Sequence, residues 1–283
     1  MNSGHDVEAS QFEPDHILHE HGQTDQADRH ELTLSMLNLS ASLSWFIDSV
    51  WSVAVVAPVR IVQSEATFLA EDSELQGFGS IHHRDEVLVG LADPVIQARA
   101  SQMYAFEDNA RLHLSGFLGA SLPLGKTEPN PDALGRAGLK HQHIFFGRGA
   151  VAPMAGFNAH YMNGRFSLDG WLNATVPVYE NEYGYLANRD ISIGIGLNHS
   201  LGLPDWVFGL LTDIHHDGAA YWDGAPQRNS GRTDFILGAK VQWDWNRGSH
   251  ASLEVKRPVY SVVNGGQLEI PIMISLTFGH AIL

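Results

Sequence analysis

The chain has 283 residues, including 28 Gly, 13 Phe, 7 Trp and 7 Tyr but no Cys, so disulfides, thiolate metal sites and thiol nucleophiles are excluded. Its net charge of −15, from 17 Lys+Arg against 32 Asp+Glu, repels phosphate and argues against nucleic acid as a partner. No run of about 18 apolar residues offers a transmembrane helix, which leaves a strand-built protein open.

Residues 1–30 are polar, acidic and His-rich with weak periodicity. Met1–Glu13 has neither the basic patch nor the apolar core of an export signal, so an exported protein is expected to be represented here in its mature form. No linker divides the remainder, and 31–283 reads as one domain. Leu37, Leu39, Ala41, Leu43 and Trp45 alternate with Asn38, Ser40, Ser42 and Ser44, the period-two signature of a strand with one apolar face. A turn at Asp48-Ser49 leads to a second strand over 50–62. Further strands are expected over 88–106, 110–124, 142–162, 164–180, 184–200, 205–216, 232–245, 249–262 and 267–280. The last is the clearest, with Leu268, Ile270, Ile272, Ile274, Leu276 and Phe278 on one face.

Connections near 48, 108, 163, 203 and 247 are short. Those at 63–87, 125–141 and 217–231 are long, and those near 181 and 264 are intermediate. Short turns on one side and long loops on the other are the pattern of an outer-membrane barrel. Aromatic residues gather near strand ends (Trp45, Trp51, Tyr179, Tyr183, Tyr185, Trp206, Tyr221, Trp222, Trp243 and Trp245), as in interfacial girdles. The fold expected is therefore all-β, an antiparallel transmembrane β-barrel in a bacterial outer membrane with lipid as its outer solvent. A soluble β-sandwich is the alternative, because alternation alone does not say which face is inside. Eleven strands follow Glu31, and the even-number rule asks for one more among residues 1–20, with Asp6–Ile17 a poor candidate because of Pro14. Twelve strands are expected and ten are the alternative; residues 1–30 could instead plug the lumen.

Two motifs, Gly90-Leu91-Ala92-Asp93-Pro94 at the head of a strand and Leu122-Pro123-Leu124-Gly125-Lys126 where a strand leaves for a long loop, carry a resemblance. With the strands after them, over roughly 87–280, they resemble an outer-membrane family named for the meta-pathway of phenol degradation. The resemblance implies a transport barrel for small, often hydrophobic or aromatic compounds. The chain departs from that pattern at Ala92 and Leu124, where Gly and Thr are expected.

Other motifs fail on spacing. Gly119 to Thr127 has five residues, not four, before Gly125-Lys126, and no helix pattern follows, so it is not a phosphate loop. Gly194-Ile195-Gly196 lies inside a strand. No nucleophile elbow or His-Glu-x-x-His occurs, no spacing selects a triad, and the chain is read as a non-enzyme.

Charged and polar residues on the strands, Asp234, Lys240, Gln242, Asp244, Glu254, Lys256 and Glu269, are expected to line a lumen. Of 16 His, ten (His16, His19, His21, His30, His82, His83, His141, His143, His215 and His216) fall on the long-loop side. With neighbouring Asp85, Glu86, Asp213 and Asp217, the pairs His82-His83, His141/His143 and His215-His216 are candidate ligands for Zn²⁺, Cu²⁺ or Ni²⁺, although adjacent residues on a strand point to opposite faces. The function expected is passive passage of small molecules through a membrane barrel with no required cofactor. The alternative is a surface barrel that captures divalent ions with His-rich loops.

Overall fold

The structure is a computed structural model that describes residues 2–6, 29–70, 73–74, 84–107, 109–141, 143–200, 205–246 and 248–281. Among these, seventeen strands and one short helix occur in chain order: β1 (Asn2–Asp6), β2 (Arg29–Phe46), β3 (Trp51–Ala70), β4 (Ser73–Glu74), β5 (Glu86–Leu91), β6 (Val95–Ala105), β7 (Arg111–Ser121), α1 (Pro131–Arg136), β8 (Ala152–Asn163), β9 (Phe166–Thr175), β10 (Tyr185–Leu186), β11 (Asp190–His199), β12 (Trp206–Asp217), β13 (Tyr221–Trp222), β14 (Ala225–Pro226), β15 (Arg232–Asn246), β16 (Ser249–Val263) and β17 (Met273–His280).

The main sheet runs β1-β2-β3-β6-β7-β8-β9-β11-β12-β15-β16-β17, every neighbour antiparallel and each next to its predecessor in sequence. β5 and β6 pair with β3 in succession and act as one wall strand broken at Ala92-Asp93-Pro94, which gives twelve staves among the described residues. The sheet curls into a half-barrel. The twelfth stave is β1, paired through Asn2–Asp6 with Arg29–Thr33 of β2, inside the 1–20 stretch where the even-number argument asked for one more strand; residues 7–17 of the 6–17 candidate lie outside the described residues. The short connections β2–β3, β6–β7, β8–β9, β11–β12 and β15–β16 join strands at one end, and the longer ones join strands at the other.

The alternation decides which face is which. On β11, Ile191, Ile193, Ile195 and Leu197 are 40–57% exposed, while Gly194, Gly196 and Asn198 are buried. β12 presents Leu210 and Ile214, β15 Phe235 and Leu237, and β17 Ile274, Leu276 and Phe278 to the same outer surface. An aliphatic surface running strand after strand far exceeds the apolar patches water tolerates, and lipid is the solvent that satisfies it. A ten-residue strand such as β9 or β11 spans about 33 Å, or about 23 Å at a 45° tilt, close to the roughly 25 Å height of a barrel's apolar band.

Three sequence boundaries move for stated reasons. The last strand starts at Met273, not near 267. Leu268 turns inward onto Leu34, Val62 and Phe146, and Arg232 Nη1 donates to Leu268 O at 2.8 Å. That contact brings the end of the sheet back towards its beginning. The strand expected from 142 starts at Ala152, because 143–151 folds as a loop with Gly149 at φ +69°. The strand expected from 184 starts at Asp190; Tyr185–Leu186 instead joins β13 and β14 in a separate three-stranded sheet.

Candidate functional site

Pairing registers carry the inner face across the wall. Asp169 on β9 stands opposite His160 on β8 and Gly196 on β11; Lys240 on β15 stands opposite Gly209 on β12 and Glu254 on β16. Small residues at alternate inner positions let large neighbours lie against the wall. A Cβ at Gly194 would overlap the Trp171 indole, so the glycine makes room for that ring.

These residues border a half-open cavity of about 300 Å³, lined by His160, Asp169, Trp171, Asn198, Lys240, Glu254 and Lys256. His160 Nδ1 lies 2.5 Å from Asp169 Oδ1, and Asn198 Nδ2 donates to Asp169 Oδ2 at 2.7 Å. Lys240 Nζ approaches the same carboxylate at 4.0 Å. Lys256 Nζ pairs with Glu254 at 2.9 Å and Asp213 at 3.4 Å, and sits 5.9 Å from the centre of the Trp171 ring. The belt is thus charged, hydrogen-bonded and close to balanced, with Lys256 standing over its one indole ring.

Of the lumen residues expected from sequence, Lys240, Gln242, Asp244, Glu254 and Lys256 have side chains on this inner face. Gln242 Nε2 donates to Asp244 at 3.0 and 3.2 Å. Asp234 also points inward but is only 2% exposed, held by Arg232 Nε at 2.6 Å and by the Ser261 hydroxyl, so it braces the wall rather than lining a path. Glu269 is exposed in the connection before β17 and lies off the wall. Sequence reasoning missed His160, Asp169, Trp171 and Asn198. Their positions were available from parity, since the Ile191–Leu197 series and Phe166, Leu168 and Leu172 mark the lipid side.

The expected histidine mouth is dispersed among the described residues. His82 and His83 lie outside them. His215 and His216 close β12 rather than sitting in a loop: His215 faces inward, and His216 faces outward with Nδ1 2.8 Å from Thr233 Oγ1. Asp213 is inward but occupied by Lys256. Asp85 Oδ1 accepts from Ala66 N at 2.8 Å, fastening the start of β5 to β3. His141 is buried with Nδ1 2.8 Å from Leu139 O, and its ring lies 5.1 Å from that of His143.

The long loops are packed. Asp93, 7% exposed in the break between β5 and β6, accepts from Gly125 N at 2.9 Å and Arg148 N at 2.7 Å, so both legs of the 122–151 loop are clamped to the wall. Gly125 is required there because a Cβ would stand 2.7 Å from Gly147 Cα. The two motifs singled out in sequence therefore meet in space. Phe145 stacks on Tyr185 at 5.5 Å and the Trp222 ring lies tilted against Tyr185 at 4.7 Å, tying loop to cap, and burial pushes the Tyr185 hydroxyl above its ordinary pKa. Tyr185 and Trp222 thus belong to this cap and not to a girdle. The aromatics open to the outside, Trp45, Trp51, Trp206, Trp243 and Trp245, stand at the short-turn end, where Trp206 stacks on Trp243 at 5.8 Å.

An outer membrane channel from Pseudomonas putida F1 superposes on this chain with a TM-score of 0.54 at 11% identity, over 89% of this chain and 85% of that one. The fold is that of an outer-membrane channel. At this identity the likeness is one of architecture. No family model and no curated protein matches the sequence.

Proposed function

We propose that this protein is a bacterial outer-membrane channel that passes small solutes passively along its inner wall. The observation that carries the reading is the opposition of the two faces. The outer one is continuously aliphatic, and the inner one carries the Lys240, Lys256, Asp169 and Glu254 belt around a cavity of about 300 Å³ beside Trp171. A wall wetted on one side and greased on the other is what a membrane-crossing path requires. The channel fold shared with the Pseudomonas putida protein supports the reading, as does the likeness of the 90–94 and 122–126 motifs to the meta-pathway family. The indole beside a polar belt suits small aromatic solutes, which displace the Lys256 side chain to stack on Trp171 and exchange hydrogen bonds with the lysines as they pass.

The test is conductance in a planar lipid bilayer with the purified, reconstituted protein. Discrete, stable current steps are the expected result. A silent bilayer, with insertion confirmed separately, overturns the open path. Swelling of proteoliposomes in small aromatic solutes but not in sugars of similar mass tests the solute class; equal swelling in both rejects it.

A further inference from the structure

We infer that Asp190, His215 and Asp217 form a binding site for one divalent transition-metal ion, of the Zn²⁺ type, on the inner wall at its long-loop end. Asp190 opens β11 and Asp217 closes β12, and the two are direct cross-strand partners. His215 lies two residues before Asp217 and so shares its face. His215 Nε2 lies 3.6 Å from Asp190 Oδ2 and 3.4 Å from Asp217 Oδ2. Ligands of a tetrahedral ion bound at about 2.0–2.1 Å stand roughly 3.3 Å from one another, so these separations need only small adjustment to share an ion.

Two further observations point to an ion rather than a simple ion pair. Asn188 Nδ2 donates to Asp217 Oδ1 at 2.7 Å, which fixes the carboxylate and leaves Oδ2 turned to the imidazole, the outer support that metal-bound carboxylates have. Among the described residues, neither Asp190 nor Asp217 forms an ion pair with a Lys or Arg. Arg232 is spent on Asp234 and Lys256 on Asp213 and Glu254, and Arg148 acts on Asp190 only through space, without an ion pair. Two half-buried carboxylates facing one imidazole stay net negative even when the ring is protonated; a dication with a neutral ring balances them. The imidazole nitrogen disfavours Ca²⁺ and Mg²⁺, which take oxygen ligands. Of the histidines picked out by sequence, only His215 belongs to this site.

The test is Co²⁺ titration of the folded, detergent-solubilised protein, read by visible absorption and by the number of ions bound per chain. It is independent of conductance and so of the channel reading. The chain has 16 His, so the decisive quantity is a difference between variants. His215→Ala is expected to lose one ion per chain, whereas His216→Ala, on the lipid face, keeps it. Asn188→Ala is expected to weaken that ion by about 10–100-fold. Asp217→Asn, nearly isosteric, gives the same loss of one ion should His215→Ala fail to fold. Equal stoichiometry in wild type, His215→Ala and Asp217→Asn overturns the site, as does a wild type that binds no Co²⁺.

Discussion

Phe146 lies against the backbone of Gly90, where a Cβ would stand 2.9 Å from its Cδ2 and 3.0 Å from its Cγ. The ring covers the inner face of β5 together with Leu34 and Val62 of β2 and β3, and Leu88 packs beside it. Among the described residues β5 pairs in the sheet only with β3, since β7 ends at Ser121 opposite Val95, and the 122–151 loop covers that stretch of wall. Asp93 holds that loop by two backbone donors. Asp93→Ala removes both charge-assisted bonds and is expected to cost about 2–4 kcal/mol of loop attachment. Limited trypsin digestion checks this: cleavage at Lys126, Arg136 and Lys140 should accelerate while the strands stay protected. An unchanged rate would mean that the other contacts of the loop, Phe146 on Gly90 and Phe145 on Tyr185 among them, hold it without Asp93.

The outer face makes a second prediction. Ile195 sits in the middle of β11, 57% exposed on the lipid side. Ile195→Arg is expected to destabilise the folded barrel in bilayers by about 2–4 kcal/mol, the cost of an arginine near the membrane midplane. Glu269→Arg, in an exposed connection, should stay within about 0.5 kcal/mol. Reversible denaturant unfolding in lipid vesicles measures both. Equal effects would mean that Ile195 does not face lipid.

Much of this architecture was legible in the residues. The Leu37–Trp45 alternation, the Ile191–Leu197 series and the spacing of turns fix strands, parity and the asymmetric ends, because a period of two is a local property of the chain. What was not legible depends on pairing at a distance. Nothing local says that Asp190 and Asp217 stand opposite each other, since that follows from the register of β11 on β12. The Leu268–Ile272 stretch alternates as well as any strand, yet Leu268 is drawn inward by Leu34 and Phe146, which come from far upstream. The two short motifs were visible as patterns; their meeting through Asp93 and Gly125 was not.

A third prediction concerns the turn between β2 and β3. Asp48 Oδ1 accepts from Trp51 N and Val50 N, both at 2.7 Å, and these bonds hold its carboxyl below the usual carboxylate pKa. A depressed folded pKa means a contribution present above the unfolded value, near 3.9, and lost as pH falls through the folded value. Hydrogen exchange at the Trp51 and Val50 amides should therefore slow less in acid than the neighbouring ladder does. Asp48→Ala should show the faster exchange already at neutral pH. Identical protection in both proteins would remove the carboxylate from the turn's stability.

The last prediction places charge in the path. Lys256 neutralises Glu254 and Asp213, and Asp213 is only 6% exposed. Lys256→Gln keeps a hydrogen-bond donor on a shorter side chain but leaves both carboxylates without their cation, so the belt around the cavity becomes net negative. Cations should then permeate preferentially, and the reversal potential in a KCl gradient should move towards that of K⁺. The shift should be clear near 0.1 M salt, where charges act over about 10 Å, and shrink near 1 M, where they act over about 3 Å. Lys240→Gln, beside Asp169 at 4.0 Å, is expected to shift the potential in the same direction but by less, because that carboxylate keeps its bonds to His160 and Asn198. A reversal potential unmoved by either substitution, with conductance intact, would route the ions past some other part of the wall.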